Sequence, residues 1–203
     1  MGSLTIISTF YSVAPQMACI KEFSPSKLIL ITQKLKQGSQ EDKALQENEA
    51  LLKKTIGVVT EMTRVSVEDP YNIYDTARKT VEMIETEHAK KQDIIIHITG
   101  GRRTQALGIL FAAFARSSMV KKIVYTTEEE NRLIDLPKLS FGLTKTKRRM
   151  LELLEEEPES MAALAQKLKK TRGMIYIHLR ELKELGLIDQ DYKLTEAGRL
   201  ALL

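Results

Sequence analysis

Residues 93–103 read DIIIHITGGRR, so two adjacent arginines follow two glycines at the end of a β-branched apolar run. Ile94, Ile95, Ile96 and Ile98 make that run a strand buried on both faces, as in a parallel sheet. Gly100 and Gly101 let the backbone pass close to a bulky group. The residues after them open a helix whose unpaired N–H groups and dipole favour an anion. Arg102 and Arg103 add full positive charge at that point, and no acidic residue occurs from Ile94 to Arg116. Thr99, Gly100, Gly101, Arg102 and Arg103 are therefore candidates for holding a phosphate or phosphodiester, with either arginine able to meet it. The same strand, turn and helix would serve as plain scaffold, but a scaffold would accept Ser or Asn where the two arginines stand. Neither a Gly-x4-Gly-Lys-Ser/Thr loop nor a Gly-x-Gly-x-x-Gly fingerprint is present, which argues against ATP and NAD as ligands.

Two further groups of residues could do chemistry. Ser8, Thr9, Phe10 and Tyr11 follow the first apolar strand and offer hydroxyls and aromatic faces suited to a phosphodiester that carries bases. From Lys167 to Lys183 there are six basic residues and one acidic residue, Glu181, a footprint expected for DNA. Within it, Lys169, Lys170, Thr171, Arg172, Met174, Tyr176 and Arg180 are the candidate DNA-binding residues. Metal chemistry has little support: Cys19 is the single cysteine, which also excludes an internal disulfide, and His88 and His97 lack acidic partners at ligand spacing. No cofactor is expected.

The elements that must position these groups alternate along the first two-thirds of the chain. Strands are expected over residues 4–9, 27–32, 63–67 and 93–98, with helices over 13–23, 38–57, 72–90 and 104–115 between and after them. Residues 122–127 and 131–136 flank Glu128-Glu129-Glu130 and suggest an antiparallel hairpin closing the sheet. Such alternation predicts an α/β, doubly wound, mostly parallel Rossmann-like sheet. In the order 3-2-1-4-5-6 the first and fourth strands lie side by side where ligands bind, which brings residues 8–12 across from 99–103. Asp69, Tyr71 and Asn72, after the third strand, are assigned a structural role. The pattern divides the chain into a sensing domain over 1–136, a linker over 137–143 and a small domain over 144–203. In the last, Thr144, Ser160 and Thr171 cap three helices, the first with Pro158 beyond its end. Residues 187–188 and 192–194 can pair as a wing, and a closing helix completes a winged helix-turn-helix. With 43% hydrophobic residues, 29% charged residues and no apolar run near the roughly 20 residues that span a bilayer, a cytoplasmic protein without a membrane partner is expected.

The strand ending in Ser8-Thr9, the segment Ile98-Thr99-Gly100-Gly101-Arg102, and Tyr176 to Leu182 with Gly186-Leu187-Ile188 together resemble the CRISPR-associated Rossmann-fold (CARF) proteins. The likeness is to the archaeal regulators that join a CARF domain to a C-terminal winged helix, and it covers nearly the whole chain. It implies a transcription regulator that forms a homodimer, binds operator DNA and is controlled by a cyclic oligoadenylate at the CARF interface. The strand-one and strand-four loops would carry the ligand. Many relatives have one basic residue after the glycines, whereas this chain has two. Some CARF domains cleave their ring ligand without metal, and Arg102, Arg103 and Ser8 are the residues that could do so here. Arg172 and His178 match the spacing of a ribonuclease motif, but their place on the recognition helix of a small domain makes that match accidental.

Overall fold

The computed structural model describes residues 3–57, 60–156 and 160–203. They fall into two compact units that divide between Ser140 and Phe141. Pro158, expected beyond the first helix of the second unit, lies outside the described residues.

The first unit runs β1 (Leu4–Thr9), α1 (Ala14–Phe23), β2 (Lys27–Gln33), α2 (Gln40–Ile56), β3 (Glu61–Val67), α3 (Ile73–Ala89), β4 (Asp93–His97), α4 (Arg103–Ala115), β5 (Lys122–Thr126) and β6 (Leu133–Leu136). The six strands form one sheet in the order β3-β2-β1-β4-β5-β6. All neighbours are parallel except β5 and β6. This is the doubly wound order expected from the alternation, with its reversal between β1 and β4. Pleating sends alternate residues to opposite faces. Ile6, Leu28, Leu30, Ile95 and Val124 pack with Cys19 of α1 and with Leu45 and Leu52 of α2. Ile7, Ile29, Ile31, Ile94, Ile96 and Ile123 are buried on the other face. There α3 and α4 approach so closely that a Cβ on Gly108 would lie 2.6 Å from Thr76 Cβ. Each fully buried branched side chain contributes on the order of 1.5–3 kcal/mol, so this central layer carries the unit.

The second unit comprises α5 (Lys145–Glu155), α6 (Met161–Leu168), α7 (Arg172–Glu184) and α8 (Glu196–Leu202). Thr144, Ser160, Thr171 and Thr195 each accept a backbone N–H of the first turn that follows. Such caps are worth about 1 kcal/mol apiece. Ile175, Leu179 and Leu182 recur on one side of α7 and join Met150, Leu151, Leu154, Leu164 and Ile188 in a single core. The expected two-strand wing is reduced to one antiparallel bridge, Ile188 to Leu194. Asp189 accepts backbone N–H groups from Asp191 and Lys193, both at 2.9 Å, while Lys183 donates to Gln190 O at 3.0 Å. Backbone bonds flank the bridge, from Asp189 N–H to Lys193 O at 2.9 Å and from Thr195 N–H to Leu187 O at 3.1 Å, and the side chains add to this short ladder.

Candidate functional site

At the carboxyl ends of β1 and β4 the first unit opens into a cleft of about 540 Å³. Phe10, Tyr11, Pro15, Leu35 and Leu45 give it an apolar side, and Thr99, Gly100, Gly101, Arg102 and Gln105 a polar one. Gln33, Glu41 and Glu128 complete the rim. Both glycines are demanded by geometry. Gly100 has φ +106°, and a Cβ there would lie 2.9 Å from Gln16 Nε2. A Cβ on Gly101 would come within 2.5 Å of Thr9 Cβ. The turn therefore passes in direct contact with the end of β1 just before α4 begins.

Arg102 precedes α4, and its side chain reaches across the strand ends. Nε donates to Gln33 Oε1 at 2.5 Å and Nη1 to Tyr71 Oη at 2.9 Å, with the guanidinium 5.2 Å from the Tyr71 ring centre. Both partners are neutral, so the positive charge is positioned without being cancelled. Tyr71, assigned a structural role from its place two strands away, is 65% exposed and belongs to the site. A long arginine can bridge strands that topology keeps apart, and sequence spacing carries no signal for that. Gln33 and Gln105 escape a sequence reading for the same reason.

Ser8 and Thr9 sit beneath the cleft. Both are fully buried, and neither lines the cleft. In the sheet register Ser8 faces His97, and its hydroxyl donates to Thr9 O at 2.9 Å. His97 Nδ1 lies 2.9 Å from Ser8 Oγ, and Nε2 lies 2.9 Å from Thr126 Oγ1. Gln16 Oε1, a pure acceptor, also lies 3.3 Å from Nδ1, an arrangement that suits a neutral ring with its hydrogen on Nδ1. Gln16 of α1 completes the layer by donating to Thr9 O at 2.8 Å and to Thr99 O at 3.1 Å. These residues form a polar floor that fixes the two loops against each other. Burial pushes the His97 imidazole down to about 4, so it is neutral at ordinary pH. Ser8, invoked for ring cleavage, is turned away from the cleft. Phe10, Tyr11, Thr99, Gly100, Gly101 and Arg102 line it, whereas Arg103, the first residue of α4, is exposed and does not.

In the second unit α7 presents Arg172, Met174, Tyr176, Ile177 and Arg180 to solvent. Thr171 caps the helix through Met174 N, and Lys169 and Lys170 are exposed just before it. Lys169 closes α6 in the left-handed region at φ 53°. Lys183, counted in the basic run, is committed elsewhere: its ammonium sits 3.9 Å above the Tyr192 ring besides holding Gln190 O. Ile177 joins this face without having been expected there, although its exposure follows from the helical spacing of the three buried residues around it. Arg172 and His178 project about 120° apart round the helix, and His178 is engaged by Glu181 at 3.2 Å. Among the described residues no group of acidic, His or Cys side chains could hold a metal, and no helix is long and apolar enough to cross a membrane.

Comparison with known proteins bears on both units. Residues 18–137 match the Csa3 CRISPR-associated Rossmann-like domain, and residues 144–190 match the arsR family of bacterial regulatory proteins. A stretch of 61 residues is 33% identical to an uncharacterized HTH-type transcriptional regulator of Methanocaldococcus jannaschii, covering 30% of this chain and 64% of that protein. Enterococcus italicus Csm6 bound to cyclic hexa-2'-fluoro-hexa-dAMP is similar at TM-score 0.57 and 12% identity, over 91% of this chain and 54% of that one. Protein VC1899 from Vibrio cholerae is similar at TM-score 0.51 and 13% identity, over 98% of this chain and 64% of that one. At such identities the structural likeness speaks for the fold.

Proposed function

This chain belongs to the Csa3 CRISPR-associated Rossmann-like domain family, and from that premise we propose that it is a homodimeric, DNA-binding transcription regulator of a CRISPR system whose CARF cleft binds a cyclic oligoadenylate. One observation carries the proposal: a single chain joins an uncancelled Arg102 on the wall of a cleft at the sheet's switch point to a helix-turn-helix that exposes its third helix. Crevices at such reversals of strand order are where open α/β sheets take ligands. Apolar surface for bases, a cation and a helix N-terminus suit a nucleotide phosphodiester, and the bound ring on Csm6 is a chemical precedent within the same fold. A ring with two-fold symmetry calls for the same residues from two subunits, which an isologous dimer supplies. The outer side of α4 is apolar, with Leu107 44% exposed and Leu110, Phe111 and Phe114 half-buried, a surface a second copy would cover.

On the DNA side, α7 enters the major groove, with Arg172, Met174, Tyr176 and Arg180 toward base edges and Lys169, Lys170 and Thr171 at phosphates. Ligand binding alters operator affinity to the extent that the ring prefers one arrangement of the dimer, by about 1–3 kcal/mol if coupling is of ordinary size. Fluorescence anisotropy on duplexes from upstream of the chain's own gene, with and without cyclic tetra- or hexa-adenylate, tests this. A five-fold or larger shift in operator affinity is expected; equal affinity in the presence of a ring shown to bind would overturn the control by ligand.

A further inference from the structure

We propose that Gly173 is the floor of a notch on α7, walled by Tyr176 and Ile177, and that this notch takes the 5-methyl group of a thymine in the major groove. The inference rests on the second unit being the DNA reader proposed above. Gly173 is the second residue of α7. Every other glycine among the described residues either has a positive φ or would meet a neighbour closer than 3.0 Å if it carried a Cβ. Gly173 does neither: its φ is negative, and a Cβ there would meet nothing within 4 Å. Alanine would suit the helix better, since glycine costs backbone entropy and adds no contact. Nothing inside the chain requires glycine at this point, so the requirement lies with what the helix meets.

Helical spacing shows where that meeting takes place. Ile175, Leu179 and Leu182 are buried, and at about 100° per residue Gly173 lies opposite them, on the crest of the exposed face. Tyr176 and Ile177, 54% and 49% exposed, flank it at roughly 60° and 40°. Helical side chains lean toward the N-terminus, so these two cover the turn in which Gly173 sits. Neither comes within 4 Å of the place a Cβ would take, which leaves a gap open to the outside. Exposed Arg172 and Arg180, with Lys169 and Lys170 before the helix, surround it with charge suited to nucleic acid. A helix lying in the major groove turns its crest to the base edges, and a missing side chain lets its backbone settle closer there. The notch has a hydrocarbon wall, an aromatic wall and a Cα floor. The thymine methyl is the apolar group that a base pair offers in that groove.

Gly173→Ala fills the notch and Ile177→Ala takes down one wall, both at exposed helix positions that leave the core untouched. Operator duplexes are made with each thymine in turn replaced by deoxyuridine, which pairs in the same way and lacks the methyl. Binding of the full chain is read by fluorescence anisotropy. Wild type should lose about fourfold at one thymine position, the worth of a buried methyl. Gly173→Ala should melt no lower than wild type and bind the thymine duplex about tenfold more weakly, a loss the size of a mismatch, with no further loss at that position. Its salt dependence should match that of wild type, because no phosphate contact is removed. Ile177→Ala should lose the discrimination as well. Wild-type affinity in Gly173→Ala, discrimination that survives in either variant, or a wild-type chain indifferent to every methyl would overturn the assignment while leaving the DNA reading in place. A chain that binds no duplex more tightly than random DNA overturns that reading, and the notch falls with it.

Discussion

His97 touches only neutral groups in its floor of hydroxyls and amides, and burial alone sets its titration at about 4 instead of 6.5. Between those values the unfolded chain binds the proton and the folded one does not. The stability His97 confers is therefore complete above pH 6.5 and lost as pH falls toward 4, by on the order of 3 kcal/mol. Urea titrations of wild type and His97→Gln across that window should show the wild-type slope and its flattening in the variant. Glu87 acts lower. Burial would raise its pKa, but hydrogen bonds from Lys90 and Lys27 outweigh that and lower it, so its loss comes only below the ordinary carboxylate range. The two arginines should also part company. Arg102→Ala should remove the thermal shift given by a cyclic oligoadenylate, and Arg103→Ala should keep most of it, while each unliganded protein melts within about 2 °C of wild type because both side chains are exposed. From sequence, Thr99 to Arg103 could be read as a site because glycines and cations declare their chemistry locally. The inward turn of Ser8 could not, because it depends on the partner that strand register happens to supply.

At the scale of elements, α7 and α4 each make one demand that can be measured. Lys169 and Lys170 lie immediately before α7, exposed and without an ion-pair partner among the described residues. Replacing both with Ala removes four lysines from the dimer and should lower the salt dependence of DNA binding by about 3.6 log units per log unit of salt, at about 0.9 for each phosphate left without its lysine. Ring binding should be unaffected. Leu107→Glu with Phe111→Glu on the outer stripe of α4 should leave the far-ultraviolet circular dichroism in place and convert the chain to a monomer in light scattering. The elements themselves were legible because β-branched runs and helical spacing are properties of single segments. The pairing of the wing was legible too, in Ile188 against Leu194, but its turn was not, since the side-chain bonds of Asp189 and Lys183 leave no mark on periodicity. Tyr71 escaped for a related reason: topology places its loop two strands from β1, and only the length of the Arg102 side chain spans that gap.

Over the whole molecule, the sheet order follows from the alternation of segments and from the right-handedness of parallel crossovers, so the place of the cleft could be argued before its walls were known. What alternation cannot convey is which side chains meet there, because that depends on loops whose paths are set by close approaches such as Gly101 against Thr9. The neutral grip of Gln33 and Tyr71 on Arg102 bears on timing. A guanidinium already held in place, with its charge intact, lets an incoming anion find a finished receptor instead of waiting for one to assemble. Capture of an anion should then run near the rate of encounter, and differences in affinity between ligands should lie in how slowly each departs.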